Sequence, residues 1–148
     1  MKKHQNLFRD LQEDFRKMKK NLLVAQSGGP TAAINATLAG VIKQAIKEEQ
    51  IDQVYGACYG IQGVLEQKFV NLTEKVDTEE KLEKLKRTPA AALGSCRFKL
   101  NDIKEDDSQY QEIVDILHKM NIGYFVYIGG NDSMDTVAKL SAYCKEKG

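Results

Sequence analysis

The sequence contains two segments in which a short apolar run ends in a glycine pair and a helical pattern follows. Residues 21–26 lead into Ser27-Gly28-Gly29-Pro30, and residues 124–128 lead into Gly129-Gly130. Pro30 suits the first position of a helix because its φ is fixed and it has no amide to satisfy. Short strands that alternate with helices predict an α/β fold, a Rossmann-like parallel sheet with helices on both faces. We expect the strand over residues 124–128 to be buried.

Apolar residues at spacings of three and four predict the helices of this fold. After the first glycine pair, the apolar stripe comprises Ile34, Leu38, Val41, Ile42, Ala45 and Ile46. A helix over residues 105–120 is indicated by Ile113, Ile116, Leu117 and Met120, and one after the second glycine pair by Met134, Val137, Ala138 and Ser141. Residues 54–58 and 69–72 have the composition of further strands, and Thr78 is placed to cap a charged helix,.

Composition and charge exclude several classes of function. The 148 residues fit one domain with room for a core, and a net charge of +1 argues against a nucleic-acid partner,. No apolar run approaches the roughly 20 residues of a membrane span. Cys58, Cys96 and Cys144 lack metal-ligand spacing and are odd in number, which predicts reduced thiols in a cytoplasmic protein,. His118 lies on a predicted helix and is expected to be solvated rather than catalytic.

Residues 1–20 are a basic extension with the pattern of a short amphipathic helix. Leu7, Leu11, Phe15 and Met18 repeat at helical spacing,. Seven basic residues are set against three carboxylates, which is a local excess of +4 by seven minus three. Those carboxylates argue against a transit peptide. The interpretation we favour is an appendage outside the domain, or a translation start at Met18.

A parallel sheet would place three unusual loops at one edge. They are Ser27-Gly28-Gly29, Gly94-Ser95-Cys96-Arg97 and Gly129-Gly130-Asn131-Asp132-Ser133. Ligands of such sheets bind beyond the carboxyl ends of the strands, and a glycine turn before a helix offers backbone amides to phosphate. The Arg97 guanidinium suits bidentate contact with phosphate. Each loop alone is a weak signal, because glycine pairs also serve tight packing, but together they favour a phosphate-handling site.

These three loops, with Phe98 after the second, resemble those of the phosphofructokinases in order and separation. The similarity covers residues 21–148 and implies phosphoryl transfer to the 1-hydroxyl of fructose 6-phosphate, which gives fructose 1,6-bisphosphate in glycolysis. Residues 21–148 would then be a donor-binding α/β domain, the N-terminal portion of the phosphofructokinase fold, incomplete at its C-terminal end. The glycine turn of the third loop, taken alone, also occurs in NAD kinases and lipid kinases.

The resemblance also implies roles for individual residues. Gly28 and Gly29 would give backbone access to the donor phosphates, and Arg97 would neutralise charge on the transferring phosphoryl group. The implied donor-binding residues are Gly28, Gly29, Arg97, Phe98, Gly130, Asn131, Asp132 and Ser133. Mg²⁺ is the implied cofactor, with Asn131 and Asp132 as candidate ligands. Asn131 stands where ATP-using members have an aspartate, so a direct metal role for either residue is left open.

Asp132 favours pyrophosphate over ATP as the donor. ATP-using members usually carry Gly-Gly-Asp-Gly-Ser in the third loop, and an aspartate at the position of Asp132 marks the pyrophosphate-dependent members. Its carboxylate would lie near the α-phosphate of a nucleotide. Two like charges about 4 Å apart repel by ~1 kcal/mol in water and by ~4 kcal/mol in a partly shielded site. The Ser-Gly-Gly-Pro form of the first loop is likewise associated with pyrophosphate users.

Two alternatives to a pyrophosphate-dependent enzyme stay open: an ATP-dependent 6-phosphofructokinase, and a non-catalytic phosphate- or nucleotide-binding module. The family's catalytic base, an aspartate in a Thr-Ile-Asp-Asn-Asp-like motif, is absent from the sequence, as are the sugar-phosphate arginines. We therefore expect a fragment of a longer enzyme that does not turn over alone. The expected partners are pyrophosphate or ATP together with fructose 6-phosphate, without nucleic acid or membrane, and the full-length enzyme is expected to be a homo-oligomer.

Overall fold

The computed structural model describes residues 2–29 and 32–147. Its elements in chain order are α1 (Lys2–Met18), β1 (Lys20–Gln26), α2 (Ala32–Lys47), β2 (Ile51–Ala57), α3 (Gly60–Leu65), β3 (Phe69–Asn71), α4 (Leu72–Lys75), α5 (Glu79–Arg87), α6 (Ser108–Lys119), β4 (Ile122–Ile128) and α7 (Asn131–Lys147). The predicted strands and helices are present with shifted ends, since β2 begins at Ile51 and α6 at Ser108. Leu72, expected in a strand, begins α4. Pro30 lies outside the described residues.

The four strands form one sheet in the order β3-β2-β1-β4. β1 is central and runs parallel to both neighbours, with Leu23 opposite Tyr55 on one side and Phe125 on the other. Parallel neighbours need a crossover connection, and α2 supplies it between β1 and β2. The predicted α/β fold is confirmed.

β3 departs from the predicted parallel arrangement, because it runs antiparallel to β2. The connection between the two strands contains α3, which is six residues long. Such a helix rises only about 9 Å, whereas a strand of the length of β2 extends over about 23 Å. The chain therefore does not return to the start of β2, and it reverses at Gln67, which has a positive φ of 55°. The edge formed by β3 makes the sheet mixed.

Apolar side chains pack on both faces of the sheet, because successive residues of β1 point to opposite sides. Leu23 lies in one cluster with residues of α3, α6 and α7, among them Ile61, Ile113 and Tyr143. Val24 lies in the other cluster, with residues of α2, α4 and α5. The prediction of helices on both faces is therefore confirmed.

Five side chains expected in the core are exposed, among them Ala138 and Ser141 of the stripe predicted for α7. Ile46 of α2 is 48% exposed and Met134 of α7 is 69% exposed. Tyr124 is 41% exposed, because β4 is an edge strand in the described sheet and is half-buried rather than buried as predicted. The inward face of α7 differs from the predicted stripe and consists of Ser133, Thr136, Leu140 and Tyr143.

The predictions for the extension, for Thr78, for the cysteines and for His118 are confirmed. The extension forms the helix α1, whose apolar residues Leu7, Leu11, Phe15 and Met18 are exposed. Thr78 caps α5, since its hydroxyl oxygen accepts a hydrogen bond from the Lys81 amide at 3.2 Å. All three cysteines are free, and His118 is exposed on α6. Within the described part of the chain, no helix is long and apolar enough to cross a membrane.

Candidate functional site

The three loops surround a single surface cavity of about 960 Å³ at the carboxyl edge of the parallel strands. Every residue predicted for the donor site lines it, namely Gly28, Gly29, Arg97, Phe98, Gly130, Asn131, Asp132 and Ser133. The sequence separations between these residues are large, so their convergence comes from the parallel pairing of β1 with β2 and β4. Their functional roles remain predictions, whereas their position in one cavity is a property of the structure.

The first and third loops lie side by side. β1 and β4 end at the same level of the sheet, because Gln26 is paired with Ile128. The Ser27 amide donates to the Ile128 carbonyl at 2.7 Å. Gly28 has a φ of 84°, and a Cβ there would lie 3.2 Å from the Gly130 nitrogen. Both the conformation and the close approach require glycine at this position.

The glycines of the two loops serve two different purposes. A Cβ on Gly129 would overlap the Ser133 side chain, so this glycine, like Gly28, permits tight packing. A Cβ on Gly29 or on Gly130 would meet no atom of the described residues within 4 Å, and both residues line the cavity. The backbone at Gly29 and Gly130 is therefore open to a ligand.

Ser133 carries a buried hydroxyl that lacks a partner. The residue is 3% exposed, and its Oγ makes no hydrogen bond within the described chain. It lies in the first turn of α7, where the backbone amides are directed toward the cavity and favour an anion,. Buried polar atoms are nearly always paired. An anion at this helix end would supply the missing acceptor.

The segment that carries Arg97 has neither helix nor strand, and side chains tie it to the first loop. The Ser95 hydroxyl donates to the Gly28 carbonyl at 3.0 Å, and the Ser27 hydroxyl donates to the Cys96 carbonyl at 3.4 Å. Gly94 adopts a φ of 77° beneath the ring of Tyr59. These contacts hold the second loop against the first on one side of the cavity.

The charged residues of the cavity are available to a ligand. Arg97, Lys99 and Asp132 line it, a balance of +1 by two minus one, and all three are exposed. None of them takes part in the ion pairs found among residues 2–29 and 32–147. An anionic ligand would therefore meet two unpaired cations and one carboxylate.

Sequence reasoning missed several residues that line the cavity. These residues are Ala90, Ala91, Lys99, Tyr127 and Thr136, whereas Ser27, Gly94, Ser95 and Cys96 were predicted as members of the loops without individual roles. Lys99 was detectable, because in extended backbone it shares a side with Arg97 two positions earlier. Tyr127 was not, since it looked like one more apolar residue of a strand. Its hydroxyl accepts from the Ile61 amide at 3.2 Å, and burial raises the pKa of the phenol, which keeps it neutral.

The donor set fits a magnesium ion only when the ligand contributes most of the oxygens. In the described residues, no group of three or more His, Cys, Asp or Glu side chains converges. Asn131 and Asp132 are adjacent and exposed at the start of α7. Mg²⁺ is commonly held by one or two carboxylates together with phosphate oxygens and water. One carboxylate and one amide oxygen therefore fit a metal that is shared with a polyphosphate.

Residues 21–146 match the phosphofructokinase family. The pyrophosphate–fructose 6-phosphate 1-phosphotransferases of Rhodospirillum rubrum and Halomonas elongata are 44% and 40% identical over 123 and 129 residues, or 83% and 86% of this chain. The crystal structure of a pyrophosphate-dependent phosphofructokinase from Nitrosospira multiformis matches 87% of the chain at 37% identity, with a TM-score of 0.79. The chain spans only 29–31% of the length of these three proteins.

Proposed function

The chain belongs to the phosphofructokinase family, and we propose that its cavity binds pyrophosphate as the phosphoryl donor for the 1-hydroxyl of fructose 6-phosphate. The observation that carries the proposal is the composition of the cavity, in which open glycine backbone and a helix N-terminus are joined by Arg97 and by the carboxylate of Asp132. The similarity to two pyrophosphate-dependent phosphotransferases, at 40% and 44% identity, supports the same donor.

The neutral part of the cavity is suited to one phosphate group. The amides of the first turn of α7 and the backbone at Gly130 would donate to its oxygens. The unpaired Ser133 hydroxyl would add a further donor, which removes the cost of burying it alone,. Because no Cβ is present at Gly29 or Gly130, the phosphate can approach the backbone closely.

The cationic part of the cavity is suited to the transferring phosphoryl group. Arg97 is exposed and makes no ion pair within the described residues, so its guanidinium is available for two parallel hydrogen bonds to phosphate oxygens,. Lys99, on the same loop, adds a second positive charge. Phosphoryl transfer depends mainly on positioning and on such charge stabilisation.

Asp132 would act on the choice of donor. It lies in the first turn of α7 and lines the cavity. A nucleotide would place an additional phosphate and a nucleoside in the same region as this carboxylate. Repulsion between this carboxylate and an α-phosphate of ~1–4 kcal/mol corresponds to a discrimination of about fivefold to several hundredfold. Pyrophosphate, which ends after two phosphates, avoids that repulsion.

Mg²⁺ would be bound between the donor and the start of α7. Asp132, and the amide oxygen of Asn131, would hold it together with phosphate oxygens. When bound, the metal would neutralise charge on the donor. It would also mask part of the charge of Asp132, so that discrimination falls toward the lower end of the range above.

We expect the 148-residue chain to bind the donor without turning it over. Asp132 is the only carboxylate among the described residues that line the cavity. In the proposed function this carboxylate selects the donor and binds the metal. No second carboxylate or histidine of the described lining is present to accept the proton of the sugar hydroxyl,. Clear formation of fructose 1,6-bisphosphate by the chain alone would contradict this expectation.

A chimeric enzyme tests the proposed activity. Residues 21–146 would replace the matching segment of the Rhodospirillum rubrum relative, and product formation would be measured with Mg²⁺ and either donor. We expect activity with pyrophosphate and little with ATP. Asp132→Gly should then improve the use of ATP and impair the use of pyrophosphate, while Asp135→Gly, one turn further along α7 and outside the cavity, should change neither preference.

The chimera also separates the rival functions. Equal or better activity with ATP before any substitution would favour an ATP-dependent phosphofructokinase. A chimera that folds and binds fructose 6-phosphate but transfers no phosphoryl group from either donor would favour a non-catalytic binding module. Either result would overturn the proposed function.

A further inference from the structure

Residues 94–99, which we name the arginine loop, have no regular secondary structure although they carry Arg97. We infer that two buried side-chain amides, Gln26 and Asn35, set the shape of this loop and so act as positioning residues for Arg97. Neither residue lines the cavity. Where the inference concerns donor binding, it rests on the proposed function.

Gln26 connects the end of β1 to both α2 and the chain before the arginine loop. It is fully buried. Its Nε2 donates to the Ile34 carbonyl at 3.3 Å and to Asn35 Oδ1 at 3.0 Å. Its Oε1 accepts from the Leu93 amide at 2.8 Å. One side chain thus joins the strand, the helix and the irregular segment.

Asn35, also fully buried, has all of its hydrogen-bonding positions in use. Its Nδ2 donates to the carbonyls of Thr88 and Ala90, the first at 2.7 Å. Its Oδ1 accepts from the Ala92 amide at 2.9 Å as well as from Gln26. Together the two amides pair four backbone groups of residues 88–93, which have no partner strand to pair them.

The pairing restricts residues 88–93 to one conformation, because any other would leave buried amide groups unpaired. Leu93 ends this segment in the core, at 7% exposure. Gly94 then turns with a φ of 77°, and Ser95 and Cys96 bond to the first glycine loop. Arg97 follows directly, so its backbone position depends on where the two amides hold the preceding residues.

The two positioning residues also flank the first glycine loop in the sequence. Gln26 immediately precedes Ser27 and Asn35 lies in α2, so the loop that approaches the donor and the loop that carries Arg97 share one buried network. A change in either amide is therefore expected to move Arg97 relative to the glycine backbone without altering any residue of the cavity itself.

The substitution Asn35→Asp tests the inference, with Asn21→Asp as the matched control. The aspartate keeps the acceptor but turns the donor that faces the Thr88 and Ala90 carbonyls into a repelling oxygen. Asn21 lies in β1, at the end of the strand opposite Gln26, where its side-chain amide bridges Gln53 and Met120. Backbone hydrogen exchange, trypsin cleavage after Arg97 and pyrophosphate affinity are measured for both variants of the 148-residue chain.

We expect Asn35→Asp to speed exchange at the Ala92 and Leu93 amides and cleavage after Arg97 by at least tenfold. Pyrophosphate affinity should fall by at least fivefold, while the β1 amides keep their protection within twofold. Asn21→Asp should leave the arginine loop unchanged. Gln26→Met, which removes the acceptor of the Leu93 amide without adding charge, takes the place of Asn35→Asp if that variant does not fold, and should show the same local loss.

Two results would overturn the inference. One is unchanged exchange and cleavage, within twofold, in both Asn35→Asp and Gln26→Met. The other is an equal loosening of the arginine loop in Asn21→Asp, which would mean that the loop follows global stability. Failure of the wild-type chain to bind pyrophosphate would refute the proposed function alone, because exchange and cleavage measure the loop without any ligand.

Discussion

Replacing Gly130 by alanine separates binding from folding at the centre of the cavity. A Cβ at this position meets no atom of the described residues within 4 Å, so the fold accommodates the methyl group. Alanine restricts the unfolded chain, which favours the folded protein by ~0.4–1 kcal/mol. Gly130 precedes α7 and its carbonyl accepts from the Met134 amide, a position at which glycine is preferred to alanine by a similar amount,. The two effects oppose each other, so the melting temperature should change by no more than about 4 °C.

The same methyl group would occupy the space in which a phosphate oxygen approaches the backbone. Loss of a hydrogen bond to a charged group costs about 1.5–3 kcal/mol, which lowers affinity by roughly 10- to 150-fold. Isothermal titration calorimetry with magnesium pyrophosphate measures the affinity, and thermal unfolding measures the stability. We expect the stability of Gly130→Ala to stay within about 1 kcal/mol of the wild type, and the variant to bind at least tenfold more weakly.

Gly40→Ala is the matched control for Gly130→Ala. Gly40 lies in α2, outside the cavity, and a Cβ there also meets no atom within 4 Å. Alanine should raise helix stability by up to about 1 kcal/mol and leave the affinity unchanged. If Gly130→Ala keeps its affinity within twofold, the open glycine backbone is not where the donor binds, and the reasoning is refuted.

Substitutions at three further residues test separate parts of the site. Ser133→Ala removes a buried hydroxyl that has no partner among the described residues, so stability should stay equal or rise while pyrophosphate affinity falls by about tenfold,. A loss of stability without loss of affinity would contradict the role of Ser133 as a ligand donor. Arg97→Lys keeps the charge but loses the bidentate geometry, so calorimetry should show pyrophosphate affinity reduced by about tenfold. Arg97→Ala should reduce it further. Unchanged affinity in both variants would show that Arg97 does not bind the donor. Asp132→Gly should raise the affinity for ATP by about fivefold or more in a competition titration, and unchanged donor preference would refute its role in donor choice.

Much of the fold was predictable because its determinants are local. The strand of residues 21–26, the glycine pairs and the stripe of α2 are each encoded by neighbouring residues, and parallel topology then brings the three loops to one edge. The site residues followed from the same argument. Gly28 and Gly130 were both predicted to contact the donor. Only the structure shows that Gly28 is needed for packing and that the backbone at Gly130 is open to a ligand.

The parts that sequence reasoning missed depend on contacts between distant residues. The direction of β3 depends on how far α3 carries the chain, and the exposure of β4 depends on which strands lie beside it. At the start of α7, Ser133 faces inward and Met134 is exposed. This end of the helix borders a polar cavity, so its inward residues do not form an apolar stripe that could be detected in the sequence. Asn35 received no role in the sequence analysis, because its partners Thr88 and Ala90 lie more than 50 residues away in the chain.

The most direct test of the proposed pyrophosphate site is a nuclear magnetic resonance titration of the 148-residue chain, labelled with ¹⁵N, with magnesium pyrophosphate. We expect saturable shifts of the amides of Gly130, Asn131 and Ser133 at the start of α7 and of Gly29 in the first loop. ATP should require about fivefold higher concentration or more for the same change. Shifts confined to the basic helix α1, or saturation by ATP at the same concentration as pyrophosphate, would contradict the claim that this cavity is a pyrophosphate site.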